Sequence, residues 1–219
     1  MKEIEKTFLK PLTRVLVLAP HTDDGEFGCG GTIARLTAEG SEVFYAAFSI
    51  AEESVPPPFP KDILITEVAN ATHELGIKRE ALHIYRYPVR KLPEHRQAIL
   101  EDLVALGKKI MPDLVLLPTI SDIHQDHTVI ATEGTRAFKR TSILGYELPW
   151  NTLEFSTECF VHLNEDHIKA KLRSLDKYDS QKGRNYASED FIRGLARVRG
   201  TQIGTRYAEA FDIVRWVLP

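Results

Sequence analysis

Short apolar runs alternate with helical segments along the first two thirds of this chain, and that alternation restricts the possible folds more than any other feature of the sequence. The runs lie at residues 14–18 (RVLVL), 42–48 (EVFYAAF), 82–85 (LHIY), 113–117 (DLVLL) and 143–147 (ILGYE). Each of the first four is followed by a helical pattern, as expected of buried parallel strands joined by crossover helices. We therefore predict a parallel sheet with helices on both faces, in which ligands bind beyond the carboxyl ends of the strands.

The rest of the chain adds a proline-rich loop and a C-terminal portion. Four prolines in five residues, Pro56, Pro57, Pro58 and Pro60, exclude regular structure after the second strand, where a lid or binding loop is common. Beyond residue 147 we predict a small C-terminal α+β extension. Its strands are expected at residues 160–163 and 211–217, and its helices at residues 166–178 and 189–198.

The composition excludes several classes of partner. The 219 residues carry a net charge of −3, so no basic excess is available to bind nucleic acid. No apolar run approaches the roughly 20 residues of a membrane span, and the N-terminus, MKEIEKTFLKPLT, lacks the apolar stretch of a signal peptide. Two cysteines, Cys29 and Cys159, make neither a disulfide framework nor a zinc cage. We expect a cytoplasmic protein, and the sequence leaves a homo-oligomer open.

The segment APHTDDGEFGCGG, residues 19–31, directly follows the first predicted strand. His21 and Asp24 lie three residues apart on its turn, and a neutral imidazole and a carboxylate are good zinc ligands. Asp23 is expected to point in a different direction and need not share the metal. In the alternative interpretation, both aspartates are turn or N-cap residues of the next helix.

A second polar segment, HQDH at residues 124–127, follows the fourth predicted strand and lies at the same edge of the sheet. His21, Asp24 and His127 would then form a three-ligand site with an open position, as catalytic zinc sites do. Asp23 is left as a general base for water whose pKa the metal lowers.

His124 and Asp126 of the HQDH segment are predicted to assist the reaction without binding the metal. His124 would polarise the substrate oxygen or protonate a leaving group, and Asp126 would orient that imidazole. Alternatively, Asp126 caps the following helix. The ligand set predicts one Zn²⁺ per chain, and Fe²⁺ or Mn²⁺ would suit the same donors.

The glycines after HTDD have two explanations. GCGG before a helix suggests a dinucleotide-binding loop, but counting from Gly28 and Gly30 places Ile33 where the third glycine of G-x-G-x-x-G belongs. We therefore expect Gly28, Gly30 and Gly31 to let the start of the helix pass close under the site. Neither HExxH nor GxSxG occurs in the chain, which disfavours a zincin peptidase and a serine hydrolase.

These segments resemble a known family. APHTDDGEFGCGG resembles the PHPDDxExGCGG signature of the LmbE-like/PIG-L zinc-dependent N-deacetylases of N-acetylglucosamine derivatives, HQDH matches their HxDH motif, and RGTQIGTRYAEAF is similar to their C-terminal end. The resemblance implies an α/β, Rossmann-like three-layer sandwich with a mostly parallel central sheet and a small C-terminal α+β extension, in a single domain of residues 1–219. It also implies the ligands and the roles of Asp23 and His124 given above.

The chain departs from the family pattern at two places. Thr22 replaces the usual proline, which should loosen the turn but removes no ligand. The loop SIAEESVPPPFPKDILITE lacks the arginine with which thiol-cofactor deacetylases of the family hold substrate. The chain therefore resembles members that act on sugars of surface polysaccharide or lipopolysaccharide pathways.

Substrate contacts are expected from three parts of the chain. In GYELPWN, Tyr146 or Trp150 could stack on a sugar ring, while Glu147 and Asn151 could bind hydroxyl groups. Arg90 could meet a phosphate of a nucleotide sugar or lipid carrier, and Arg199 and Glu209 could close the pocket. In the alternative interpretation the aromatic residues only pack and Arg90 is solvated.

The chemistry and the resemblance together predict a metal-dependent hydrolase. It would remove the N-acetyl group from an N-acetylglucosamine-type amino sugar, its small-molecule partner, and release acetate. One alternative is a zinc amidase that cleaves a larger acyl group or conjugate from a glucosamine-like core. Another is a non-catalytic carbohydrate-binding protein that retains a metal site.

Overall fold

The computed structural model describes residues 12–218, so the first eleven of the thirteen N-terminal residues compared above with a signal peptide lie outside the described part. The strands are β1 (Arg14–His21), β2 (Glu42–Ser49), β3 (Leu82–Ile84), β4 (Leu114–Pro118), β5 (Ser142–Tyr146), β6 (Cys159–Leu163) and β7 (Tyr207–Arg215). The α-helices are α1 (Asp24–Ala38), α2 (Ile63–Glu74), α3 (Arg96–Ile110), α4 (Gln125–Ala137), α5 (Glu165–Leu175) and α6 (Glu189–Gln202).

The seven strands form one sheet in the order β3-β2-β1-β4-β5-β7-β6. Strands β1 to β5 are parallel, and β7 runs antiparallel between β5 and β6. The predicted mostly parallel α/β fold is therefore confirmed. The C-terminal extension lengthens the same sheet by two strands. A single domain over residues 1–219 stays a prediction, because the first eleven residues and residue 219 are not described.

Both faces of the sheet are covered by helices, which explains the continuous apolar run of β1. Val15 and Val17 face a core formed with α1, α2 and α5, whereas Leu16 and Leu18 face a second core formed with α3 and α4. A strand buried on both faces has no polar side to show, so its sequence does not alternate.

Helix α1 is bent, and its glycines provide space for residues from distant parts of the chain. The bend lies at Cys29, whose φ is −145° and ψ is 23°. A Cβ at Gly28 would clash with the ring of Tyr146, and one at Gly31 would come within 3.1 Å of the Glu209 carboxylate. From the sequence, we expected these glycines to let the helix pass close under the metal site. In the structure, the space they leave is filled instead by Tyr146 and Glu209, which pack against α1.

The last strand is longer at its start than the sequence predicts, and the proline-rich loop is irregular as predicted. Strand β7 begins four residues before the predicted 211–217, because the buried Glu209 interrupts the apolar pattern at its start, and it ends at Arg215. Residues 55–60 form neither helix nor strand, as their prolines predict. Within residues 12–218, no helix has both the length and the apolar character needed to cross a membrane.

Candidate metal centre

The two polar motifs meet where the strand order of the sheet reverses. Strand β1 ends at His21, and β4, its neighbour, leads through residues 119–124 into α4. The chain continues from β1 toward β2 on one side and from β4 toward β5 on the other, which opens a crevice between the two strand ends. His21 and His127 meet in this crevice although 106 residues separate them.

Three donor atoms converge there. Asp24 Oδ2 lies 3.1 Å from His21 Nδ1 and 3.3 Å from His127 Nε2, and the two nitrogens lie 3.3 Å apart. Ligand atoms at about 2.0–2.1 Å from a tetrahedral Zn²⁺ lie about 3.3 to 3.4 Å from one another. The three atoms therefore have the separations of three corners of a zinc coordination tetrahedron, as the sequence predicts for these residues.

His124 is the nearest further donor. Nitrogen atoms of His21, His124 and His127 lie within 4.8 Å of one another, so the three imidazoles also form a group able to hold a metal ion. The main-chain N–H of Asp126 donates to His124 Nδ1 at 3.2 Å. The neutral ring therefore carries its proton on Nε2.

Each imidazole of the predicted ligand set is oriented by a buried aspartate. His21 Nε2 lies 3.0 Å from Asp126 Oδ2, and His127 Nδ1 lies 2.7 Å from Asp122 Oδ2. The sequence assigned Asp126 to His124, and this is wrong: its carboxylate contacts His21, while His124 itself caps α4. Carboxylates in such outer positions fix the tautomer and direction of metal-binding histidines.

Sequence reasoning missed Asp122. It lies five residues before His127, in the loop between β4 and α4, and its Oδ1 also accepts the main-chain N–H of His124 at 2.8 Å. The only available signal was a further aspartate in TISDIHQDH, which has no ligand spacing. Its contact depends on the path of the loop.

The charges of the cluster favour a bound cation. Burial lowers the pKa of His21, but Asp24 and Asp126 outweigh it and raise that pKa to about 9. Burial likewise lowers the pKa of His127, but Asp24 and Asp122 outweigh it and raise that pKa to about 10. Three buried carboxylates around two imidazoles require compensating positive charge, which protons or a divalent ion can provide. The donor set thus fits a metal ion.

A cavity of about 290 Å³ opens beside these donors, and its lining includes Asp23, Arg90, His124, Trp150, Asn151 and Arg184. Asp23 is buried, and burial together with the charge of Asp24 raises its pKa, while Arg184 lowers it. Burial and the neighbouring His127 and His21 lower the pKa of His124. The carboxyl group of Asp23 and a neutral imidazole of His124 therefore flank the donor atoms.

Of the predicted substrate residues, three line this cavity. They are Arg90, Trp150 and Asn151. One face of Trp150 is stacked on Tyr186, with the ring centroids 3.8 Å apart and an interplanar angle of 16°. A sugar ring could stack only on its other face.

The other four predicted contacts are corrected by the structure. Tyr146 is fully buried, and its hydroxyl donates to the carbonyl oxygen of Leu18 at 2.9 Å, so it cannot stack on a sugar. Arg199 and Glu147 form a two-fold ion pair with both N–O distances at 2.7 Å. Neither residue of this pair lines the cavity over the donors.

Glu209 is also structural. Its carboxylate accepts the main-chain N–H groups of Gly31 at 3.0 Å and Thr32 at 2.6 Å, and it pairs with Lys171 Nζ at 2.7 Å. It therefore caps the second half of the bent helix α1, where free N–H groups attract negative charge. Burial of this carboxylate is compensated by the lysine.

Comparison with known proteins now decides the family. Residues 16–138, more than half of the chain, match the family described as PIG-L, GlcNAc-PI de-N-acetylase. The chain belongs to the PIG-L family. This membership confirms the resemblance and identifies the chain as a deacetylase, a hydrolase.

Two curated relatives and one solved structure are similar over most of their length. The uncharacterised deacetylase YaiS of Escherichia coli (strain K12) is 27% identical over 76% of this chain and 90% of its own. Diacetylchitobiose deacetylase of Thermococcus kodakarensis is 25% identical over 92% of this chain and 83% of its own. The structure of N,N'-diacetylchitobiose deacetylase from Pyrococcus horikoshii has a TM-score of 0.79 at 24% identity, covers 93% of this chain and 84% of its own, and supports the fold.

The PIG-L match ends before several residues of the cavity wall. It includes both motifs and Asp122 but stops at residue 138, whereas Trp150, Arg184 and Tyr186 follow it. Arg184 and Tyr186 lie in the segment between α5 and α6, which carries no spacing signal in the sequence. Their place in the cavity is a result of tertiary packing.

Proposed function

We propose that this PIG-L chain removes the N-acetyl group from an N-acetylglucosamine-type amino sugar and releases acetate. The observation that carries the proposal is the convergence of His21, Asp24 and His127 at 3.1–3.3 Å beside Asp23 and His124. The substrates named for the chitobiose deacetylases support an amino sugar as the substrate class.

The chain's own donors would hold one divalent ion. His21 Nδ1, Asp24 Oδ2 and His127 Nε2 suit Zn²⁺, and Fe²⁺ or Mn²⁺ suit the same donors. When bound, such an ion polarises an acyl oxygen and lowers the pKa of water.

Asp23 and His124 provide the groups that move protons and stabilise charge. Asp23 accepts a proton from the attacking water while the water oxygen bonds to the acetamide carbon. His124, with its proton on Nε2, donates a hydrogen bond to the carbonyl oxygen as that oxygen becomes negative. The C–N bond then breaks, the proton held by Asp23 passes to the amine nitrogen, and acetate and a free amino sugar leave.

Replacement of the proposed base tests this function. Asp23→Ala should keep the bound metal, since Asp23 is not among the three donors, and should lower kcat about 10²–10⁴-fold. Metal content by elemental analysis and acetate release from UDP-GlcNAc, GlcNAc disaccharides and lipid-linked GlcNAc measure the two effects. The exposed Asp62 at the start of α2 provides the control variant Asp62→Ala. Full activity of Asp23→Ala would contradict the assignment.

A second cavity favours one further candidate reaction. This space of about 700 Å³ shares Phe27, Gln181 and Arg184 with the cavity at the donors. An amidase acting on a larger acyl group or conjugate could place that group there. Comparison of acetyl with longer-acyl release from the same glucosamine core distinguishes the two reactions. Sugar binding without acyl release across the panel would instead favour a carbohydrate-binding protein.

A further inference from the structure

Two arginine side chains line the cavity over the donors, and neither is held in a two-fold ion pair like that of Arg199. Arg184 Nη1 lies 3.4 Å from Asp23 Oδ2, and Arg90 Nη2 lies 3.5 Å from the hydroxyl of Ser54. In the described part of the chain, no carboxylate lies within ion-pair distance of the Arg90 guanidinium. By contrast, Arg199 is held by two 2.7 Å contacts to Glu147.

The main chain of Arg90 is fixed relative to the metal centre. Its φ of 67° lies in the left-handed region, which glycine adopts at lower cost than arginine. Its N–H donates to Asp126 Oδ2 at 2.6 Å, and the same oxygen contacts His21 Nε2. The strained backbone therefore starts the arginine side chain at a defined place beside the donors.

The segment that carries Arg184 is held on both sides of that residue. The N–H and hydroxyl of Ser180 donate to the buried Glu67 at 2.9 Å and 2.6 Å. On the other side, Tyr186 stacks on Trp150. These contacts hold the backbone around Arg184, and its guanidinium lies 3.4 Å from Asp23 Oδ2 and 5.7 Å from the centroid of the Tyr186 ring.

Two cationic side chains therefore face the cavity. A bound divalent ion and the two guanidinium groups would together balance the four aspartates of the cluster, Asp23, Asp24, Asp122 and Asp126, but Asp122 and Asp126 contact the histidines and do not line the cavity. The planar guanidinium fork matches phosphate and carboxylate oxygens, so this wall can bind an anionic group of a substrate.

We propose that Arg90 and Arg184 form an anion subsite that selects amino sugars bearing a phosphate or carboxylate group. The proposal rests on the deacetylase function proposed above and narrows its substrate class. Neither arginine was assigned to the reaction itself. They act by binding a charged substituent of the sugar while its acetamide lies at the donors.

Binding of deacetylated sugars to the metal-loaded protein tests the subsite without turnover. Isothermal titration would compare glucosamine with glucosamine 1-phosphate, glucosamine 6-phosphate and muramic acid, so that the last three distinguish phosphate from carboxylate. At least one anionic sugar should bind about tenfold or more tightly than glucosamine. Arg90→Gln and Arg184→Gln should each reduce that preference about tenfold. The exposed Arg197 on α6, outside the cavity lining, provides the control Arg197→Gln.

The results separate failure of the subsite from failure of the reaction. Equal binding of neutral and anionic sugars, or an equal loss in Arg197→Gln, would overturn the subsite even if acetate release is observed. Arginine-dependent binding of an anionic sugar, with no acetate released from any sugar, would support the subsite and refute the deacetylation. As a measurement on the unmodified protein, the preference for anionic sugars should weaken with added salt, and a salt-independent preference would contradict the proposal.

Discussion

Asp122 and Asp126 show how single carboxylates decide which nitrogen of each histidine faces the donor cluster. Asp126 contacts His21 at Nε2, which leaves Nδ1 for a metal ion, whereas Asp122 contacts His127 at Nδ1 and leaves Nε2. The two rings therefore present different nitrogens to the same point. Removing either carboxylate frees one ring to change its tautomer.

Asp122→Asn should weaken metal binding although Asp122 is not one of the three donors. The amide retains the side-chain shape but loses the negative charge that fixes the His127 ring, so zinc affinity should fall about 10- to 100-fold. Competition with a fluorescent zinc chelator measures the change. Asp166→Asn, at an exposed position of α5, is the control. An unchanged zinc affinity in Asp122→Asn would mean that the ring is held by other contacts.

At the scale of elements, helix α1 connects the metal motif to the C-terminal strands. Its first half carries Asp24, and its second half begins at the bend and is capped by Glu209 from β7. Tyr146 at the end of β5 fills the space that Gly28 leaves open. The motif is therefore held in place by strands that follow it by more than a hundred residues.

Gly28→Ala should destabilise the fold because the added methyl group meets the buried ring of Tyr146. Overpacking of this kind costs about 1–3 kcal/mol in the free energy of unfolding. Gly194→Ala in α6 is the matched control, because its Cβ has no heavy atom within 4 Å and alanine favours the helix by up to about 1 kcal/mol. Urea unfolding followed by circular dichroism measures both. Equal stability of the two variants would show that Tyr146 moves aside freely.

In the whole molecule, the donors come from two parts of the chain that meet only in the folded state. His21 and Asp24 belong to the end of β1 and the start of α1, and His127 belongs to α4. A ligand that binds the folded chain alone stabilises it in proportion to the logarithm of its concentration.

Metal removal should therefore lower thermal stability. At a free zinc concentration about 1,000 times Kd, the gain is about 4 kcal/mol. For a chain of this size the gain corresponds to a rise in Tm of about 8–16 °C. Calorimetry with and without a chelator measures the shift, and His127→Ala should lose it. The same Tm with and without metal would show that the donors do not bind it in the folded protein.

The sequence by itself determined the parallel core of the sheet and the meeting of HTDD with HQDH. Apolar runs and helical periodicity are local signals, and the carboxyl ends of parallel strands lie at one edge whatever the details of packing. His21, Asp24 and His127 could therefore be placed together from their positions after β1 and β4.

Only the tertiary structure decided which groups surround that cluster. It assigned Asp126 to His21, brought Asp122 to His127, placed Arg184 in the cavity wall and buried Tyr146, Glu147 and Glu209 in structural contacts. These outcomes depend on the paths of loops and on side chains that pack across more than fifty residues of sequence. Local periodicity carries no information about such contacts, because each is selected by the space and charge that the rest of the fold leaves available.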